Sequence, residues 1–159
     1  MCVARSITTD LKGILMLMEQ TLHTLKSLRL PGMMAAFEEQ QSVAATMALS
    51  FDERFALLVD REQTWRENRR LARLLREAKL KSSSACLEDV RYGVGRKLDK
   101  ALMAQLGSCQ WIRAHQNLSL TGATGCGKTW LACALGNAAC RQGLSVIYVR
   151  TPRLFEELR

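Results

Sequence analysis

The sequence predicts an α/β chain in two parts. A small helical domain comes first, followed by a phosphate-loop domain with an incomplete parallel sheet. Three observations carry this reading. Apolar residues recur at helical spacing through much of residues 17–80. The short alternating stretch 117–120 leads into GATGCGKTW, which opens a helix. A second apolar run, LSVIYV at 144–149, follows that helix.

Residues 1–15 carry little pattern, and Met16 and Met18 are alternative starts. Leu22, Leu25 and Leu28 give a helix within 17–30, which Pro31-Gly32 ends; a second helix is expected from Met33 to about Ala48. Ser50 and Glu53 have the spacing of a capping box, each able to bond the other's backbone amide. The helix they open runs to about Leu80. It places Leu71, Leu75 and Ala78 on one side and Arg66, Arg69, Arg70, Arg73 and Arg76 on the other. At ~100° per residue the arginines span an arc of roughly 120°. Such a face is usually only solvated, but five arginines with few acids nearby make it a candidate for phosphate contacts.

Lys81 to Ala85 read as a linker, and the composition then shifts from arginine-rich helix to short apolar stretches. The expected division is an N-terminal extension at 1–15, a basic helical domain at 16–83 and the phosphate-loop domain at 84–159. Within the last, Lys97 to Leu106 predicts a short helix ended by Gly107-Ser108. A further helix is expected after the 144–149 strand, with Thr151 as N-cap and Pro152 in its first turn.

Bulk properties narrow the function classes. The chain has 159 residues, a net charge of +8 and a pI near 9.5. An excess of that size suits an anionic partner such as nucleic acid. No run reaches the roughly 18 apolar residues of a membrane span, and GILMLM gives way at once to Glu19, so neither a membrane helix nor a signal peptide is expected. Six cysteines show no metal-ligand spacing, which points to a reducing cytoplasm. Cys133 and Cys140, seven apart, are expected as core residues.

Gly122 to Thr129 matches G-x-x-x-x-G-K-[ST] at every fixed position, with the strand before it and the helix after it that the motif requires. Gly122, Gly125 and Gly127 allow the chain to wrap a phosphate group and aim N–H groups at it. Ala123, Thr124 and Cys126 fill the variable positions. The helix beginning near Trp130 adds unpaired amides and the positive end of its dipole. Lys128 supplies a cation for the β- and γ-phosphates, and the Thr129 hydroxyl can ligate Mg²⁺. Hydrolysis also needs a carboxylate at the end of another strand. After Thr129 the acidic residues are Glu156 and Glu157, both expected on the last helix. The chain therefore supplies no credible catalytic carboxylate.

In its order of motifs the sequence resembles the IstB-like transposition helper ATPases, AAA+ proteins related to the DnaC-type helicase loaders. The likeness runs over about residues 17–159. It is carried by SFDERFALLVDRE, RENRRLARLLREAKL, CLEDVRY and LDKALMAQLGSCQWI, then by NLSLTGATGCGKTWLACALGNAACRQGLSVIYVR and PRLFEELR. The resemblance implies a helical domain followed by an AAA+ α/β/α domain, with ATP and Mg²⁺ as cofactors and Gly122 to Thr129 as the Walker A loop. It implies assembly on DNA as a homo-oligomer and a partner transposase that the protein helps to direct or activate. A helicase loader is the alternative function. The Walker B acid, sensor residues and arginine finger of that group have no counterpart here, so a truncated ATPase that binds nucleotide without hydrolysing it is the expectation.

Overall fold

The computed structural model describes residues 3–43, 46, 48–93 and 98–157. Its elements are helices: α1 (Val3–Ser27), α2 (Pro31–Ser42), α3 (Phe51–Ala78), α4 (Lys100–Gly107), α5 (Gln110–Arg113), α6 (Lys128–Arg141) and α7 (Thr151–Glu157). A 3₁₀ turn, Leu87–Asp89, lies between α3 and α4. The chain divides into two compact units, Met1–Asn68 and Arg69–Arg159, so α3 contributes to both. The residues read as a linker, 81–85, belong to the second unit, where Ala85 is fully buried.

In the first unit, α1 reaches back through the segment that shows little pattern in the sequence. Pro31 does not merely break a helix but begins α2 at its first turn, where the missing N–H costs nothing. Gly32 sits against α3 so closely that a Cβ would lie 2.7 Å from the Glu62 Cα and 2.8 Å from the Arg61 carbonyl oxygen. That approach lets the buried Glu62 carboxylate cap α2. Its Oε2 accepts from the Gly32 and Met33 amides at 2.8 and 3.2 Å, and its Oε1 accepts from Arg66 Nε at 2.7 Å. The helix ends at Ser42; of the residues expected to continue it, 44, 45 and 47 lie outside those described. The capping box forms as the sequence implies. Ser50 N donates to Glu53 Oε2 at 2.8 Å, and Glu53 N donates to Ser50 Oγ at 3.3 Å.

The second unit is built around α6. Cys133, Ala134, Leu135, Ala139 and Cys140 are buried along it, so Cys133 and Cys140 are core residues as expected. Leu74 and Ala78 of α3 pack on Cys140 with Leu71, Leu75, Leu80 and Val146 around them. Ala85 packs on Cys133 and Ala134, bordered by Leu80, Leu87, Trp130 and Tyr148. Helix α4 starts at Lys100, later than the leucine spacing suggests, because Asp99 caps it by accepting from the Ala101 amide at 2.8 Å. The expected starting residue, Lys97, lies outside the described residues. Thr151 is the first residue of α7 rather than its cap, and Leu158 and Arg159, expected to continue it, also lie outside them.

The α/β expectation is not met. Among the described residues there is no β-strand and no sheet, parallel or otherwise. The two segments read as strands do not pair. Around 144–149, the Tyr148 amide donates instead to the Ala78 carbonyl at the end of α3, at 2.9 Å, and Leu144 N closes on Ala139 of α6. A strand exists only through its ladder of partners, and neither segment has one.

Candidate nucleotide-binding site

The loop between residue 122 and α6 is shaped by its glycines. Gly125 and Gly127 hold φ of 83° and 93°, values open to glycine and strained for other residues. A Cβ at either would touch nothing within 4 Å, so backbone conformation, not crowding within the protein, requires glycine there. At Gly122 a Cβ would also come within 3.2 Å of Cys126 Sγ.

Gly127 is the N-cap of the 14-residue α6 and brings no side-chain cap. The first bond of the helix is Leu131 N to Gly127 O at 3.0 Å. The amides of Lys128, Thr129 and Trp130 therefore face outward from the helix start without an intrahelical acceptor, and the positive end of the helix dipole lies there too. Lys128 Nζ donates to the carbonyls of Gly122 at 2.8 Å and Ala123 at 2.6 Å, with Cys126 Sγ 3.7 Å away. These bonds tie the ammonium across the mouth of its own loop. Ala123, Thr124, Cys126 and Gly127 are exposed around it, whereas Trp130 is half-buried against the Ala85, Cys133 and Ala134 cluster. Glycine conformation, uncapped amides and a held cation meet at the start of α6 as a candidate anion cradle.

A recess of about 380 Å³ adjoins Gly127 and is lined by Asp89, Arg91 and Trp130. Sequence reasoning does not single out Asp89 or Arg91, since the loop motif contains no trace of a neighbour so far upstream. Among the described residues no group of three or more His, Cys, Asp or Glu gathers as a metal site.

The α3 arginines have distinct surroundings. All five are exposed. Arg66 is bonded to Glu62, Arg70 Nη2 donates to the Gly143 carbonyl at 3.1 Å, and Arg73 stands 3.9 Å from Glu77. Burial works against the charged form of Glu62, but the Arg66 bond and the Met33 and Gly32 amides outweigh it, so its carboxyl titrates below the usual range.

A loop of this kind ahead of an uncapped helix marks a class of proteins that bind phosphorylated ligands. The chain belongs to the family described as IstB-like ATP binding protein, which matches residues 23–159. It is 58% identical over 144 residues to a Pseudomonas fluorescens protein named for ATP binding in insertion sequence IS1162, covering 91% of this chain and 62% of that one. A Sinorhizobium fredii protein named as an insertion sequence ATP-binding protein is 48% identical over 143 residues, 90% of this chain and 58% of its own length. A Mycobacterium tuberculosis protein, named for ATP binding in an insertion sequence, is 31% identical over 136 residues, 86% of this chain and 54% of the relative. The chain thus spans about three fifths of the length of the first two. No described helix is long and apolar enough to cross a membrane.

Proposed function

We propose that the protein is an ATP-binding helper of DNA transposition, acting on DNA together with the transposase of its element. The observation that carries this reading is the loop itself, in a chain whose relatives are named as insertion-sequence ATP-binding proteins. The γ- and β-phosphates would meet Lys128 and the amides at the start of α6, and the nucleoside would extend into the recess beside Asp89, Arg91 and Trp130. Mg²⁺ would be held by the Thr129 hydroxyl and the phosphates themselves, where it would offset phosphate charge. The exposed arginines of α3 would contact DNA phosphates.

The test is Mg²⁺-dependent ATP binding by the 159-residue chain beside Lys128→Ala at fixed salt. Removing a charged donor from the cradle should weaken binding by at least about tenfold. Equal binding by both would sink the assignment of the loop.

A further inference from the structure

Cys86 is half-buried just before the 3₁₀ turn, beside the C-terminal half of α6. Arg141 Nη2 donates to its sulfur at 3.2 Å, and Asn137 Nδ2 stands 4.0 Å from it. Glu88 fixes the guanidinium by accepting from Arg141 Nη1 at 2.8 Å. Asn137 is 5% exposed, and its Nδ2 donates to the Ser83 carbonyl at 3.5 Å. Its Oδ1 is buried and has no hydrogen-bond partner among the described residues, so the reduced sulfur makes no bond to it. A buried acceptor left open in this way calls for an explanation. Cys86, Glu88, Asn137 and Arg141 all line one recess of about 270 Å³. A water's share of liquid is roughly 30 Å³, so a small hydroperoxide has room there.

We propose that Cys86 is a site of oxidation by hydroperoxides, and that this recess holds the sulfenic acid formed. The sulfur attacks one oxygen of the peroxide. An S–O bond forms as the O–O bond breaks, and sulfur gives up two electrons to the peroxide. The other oxygen leaves and takes the thiol proton, as water or an alcohol. The product needs one donor and one acceptor, and the recess offers both. The new oxygen accepts from Arg141, and its hydroxyl donates to the open Asn137 Oδ1. Cys126, the exposed thiol, has Lys128 Nζ beside it as a donor, but it lies open to water and to further oxidants. The recess at Cys86 thus stabilises the sulfenic acid where the loop does not, and nothing in this chemistry rests on nucleotide binding.

The experiment treats the full 159-residue chain with a stoichiometric amount of hydrogen peroxide in the presence of dimedone, followed by peptide mapping. The sulfenic adduct should form at Cys86 in excess over Cys126. Asn137→Leu, which removes the acceptor, should lower the Cys86 adduct by about fivefold, and Asn137→Asp, which keeps one, should retain more of it. Iodoacetamide should label Cys86 in Asn137→Leu as readily as in wild type. Adduct mainly at Cys126, or equal adduct in wild type and Asn137→Leu, overturns the proposal. So does an equal loss of both labels, which would mean that the amide governs only access. If Asn137→Leu is unfolded by circular dichroism, Arg141→Leu at the exposed side of the recess decides: an undiminished Cys86 adduct there also overturns it, and a loss supports it.

Discussion

The guanidinium of Arg70 donates to the carbonyl of Gly143 at 3.1 Å, across 73 residues of sequence. Gly143 follows α6 with φ of 77°, and the chain there closes in two bonds, Gly143 N to Cys140 O and Leu144 N to Ala139 O. A Cβ on Gly143 would stand 3.1 Å from Arg70 Nη2. Gly143→Ala should cost about 1–2 kcal/mol from the left-handed backbone alone, read as a lower urea midpoint. Part of the cost should come from crowding the guanidinium. In an Arg70→Ala background the same substitution should therefore cost less, and strict additivity would show that the contact contributes nothing.

How legible each part is in the sequence follows from how local its causes are. The Ser50–Glu53 box and the Gly122 to Thr129 loop are set by residues a few positions apart, and both can be read directly. The Asp99 cap is equally local, but leucine spacing taken alone points upstream of it. Gly32 looks like a helix breaker; its need for glycine comes from Glu62, 30 residues on, which no local pattern reveals. The segments 117–120 and 144–149 have strand-like alternation, but a sheet depends on partners elsewhere, and here Tyr148 bonds to α3 instead. Helical periodicity puts the arginines on α3, whereas the bonds of Arg66 and Arg70 emerge only from the fold.

Glu62 gives a pH-dependent contribution to stability. Its carboxylate is held below the usual 4.5 because Arg66 and two α2 amides outweigh burial. The folded protein therefore takes up this proton less readily than the unfolded chain, so the contribution is full above 4.5 and fades as the pH falls through the lowered value. Glu62→Ala should destabilise by about 2 kcal/mol at neutral pH, through loss of a helix cap and a charged bond. Denaturant titrations should show the gap between wild type and variant narrowing in acid. A gap that is constant from about pH 7 down to about pH 3 would contradict this.

The loop glycines should matter for binding through conformation. At Gly125 and Gly127 an alanine methyl has free space, so neither Gly125→Ala nor Gly127→Ala should create a clash in the protein. Each would instead disfavour the positive φ that shapes the cradle, at about 1 kcal/mol or more. Calorimetry should find ATP affinity reduced by at least about fivefold in either variant. Full affinity in both would mean that the observed backbone is not the binding conformation.

Thiol reactivity offers a map of the same region. Cys126 is exposed in the loop, whereas Cys109, Cys133 and Cys140 are buried. Burial also raises the Cys109 and Cys140 thiols above their ordinary range, keeping them protonated at neutral pH. Peptide mapping after brief alkylation should label Cys126 well ahead of those three. Saturating MgATP should slow that labelling selectively if the nucleotide covers the loop. Protection spread equally over all the cysteines would indicate general tightening instead.

Arg73 and Arg76 isolate the proposed DNA contacts from the structural duties of their neighbours. Arg66 braces the Glu62 cap and Arg70 the end of α6, so replacing either would confuse binding with stability. Among the described residues Arg73 approaches Glu77 at 3.9 Å, with both side chains well exposed, a pairing that adds little to stability. Every DNA phosphate left without its arginine should lower the slope of log affinity against log salt by about 0.9 on duplex DNA. Arg73→Gln with Arg76→Gln should therefore flatten that slope by up to about 1.8 and weaken binding similarly for unrelated sequences. Stability in urea should stay within about 0.5 kcal/mol of wild type, as for surface changes generally. A double variant with weaker binding but the wild-type slope would assign the effect to something other than phosphate neutralisation. An unchanged affinity and slope would return this face of α3 to an ordinary solvated surface.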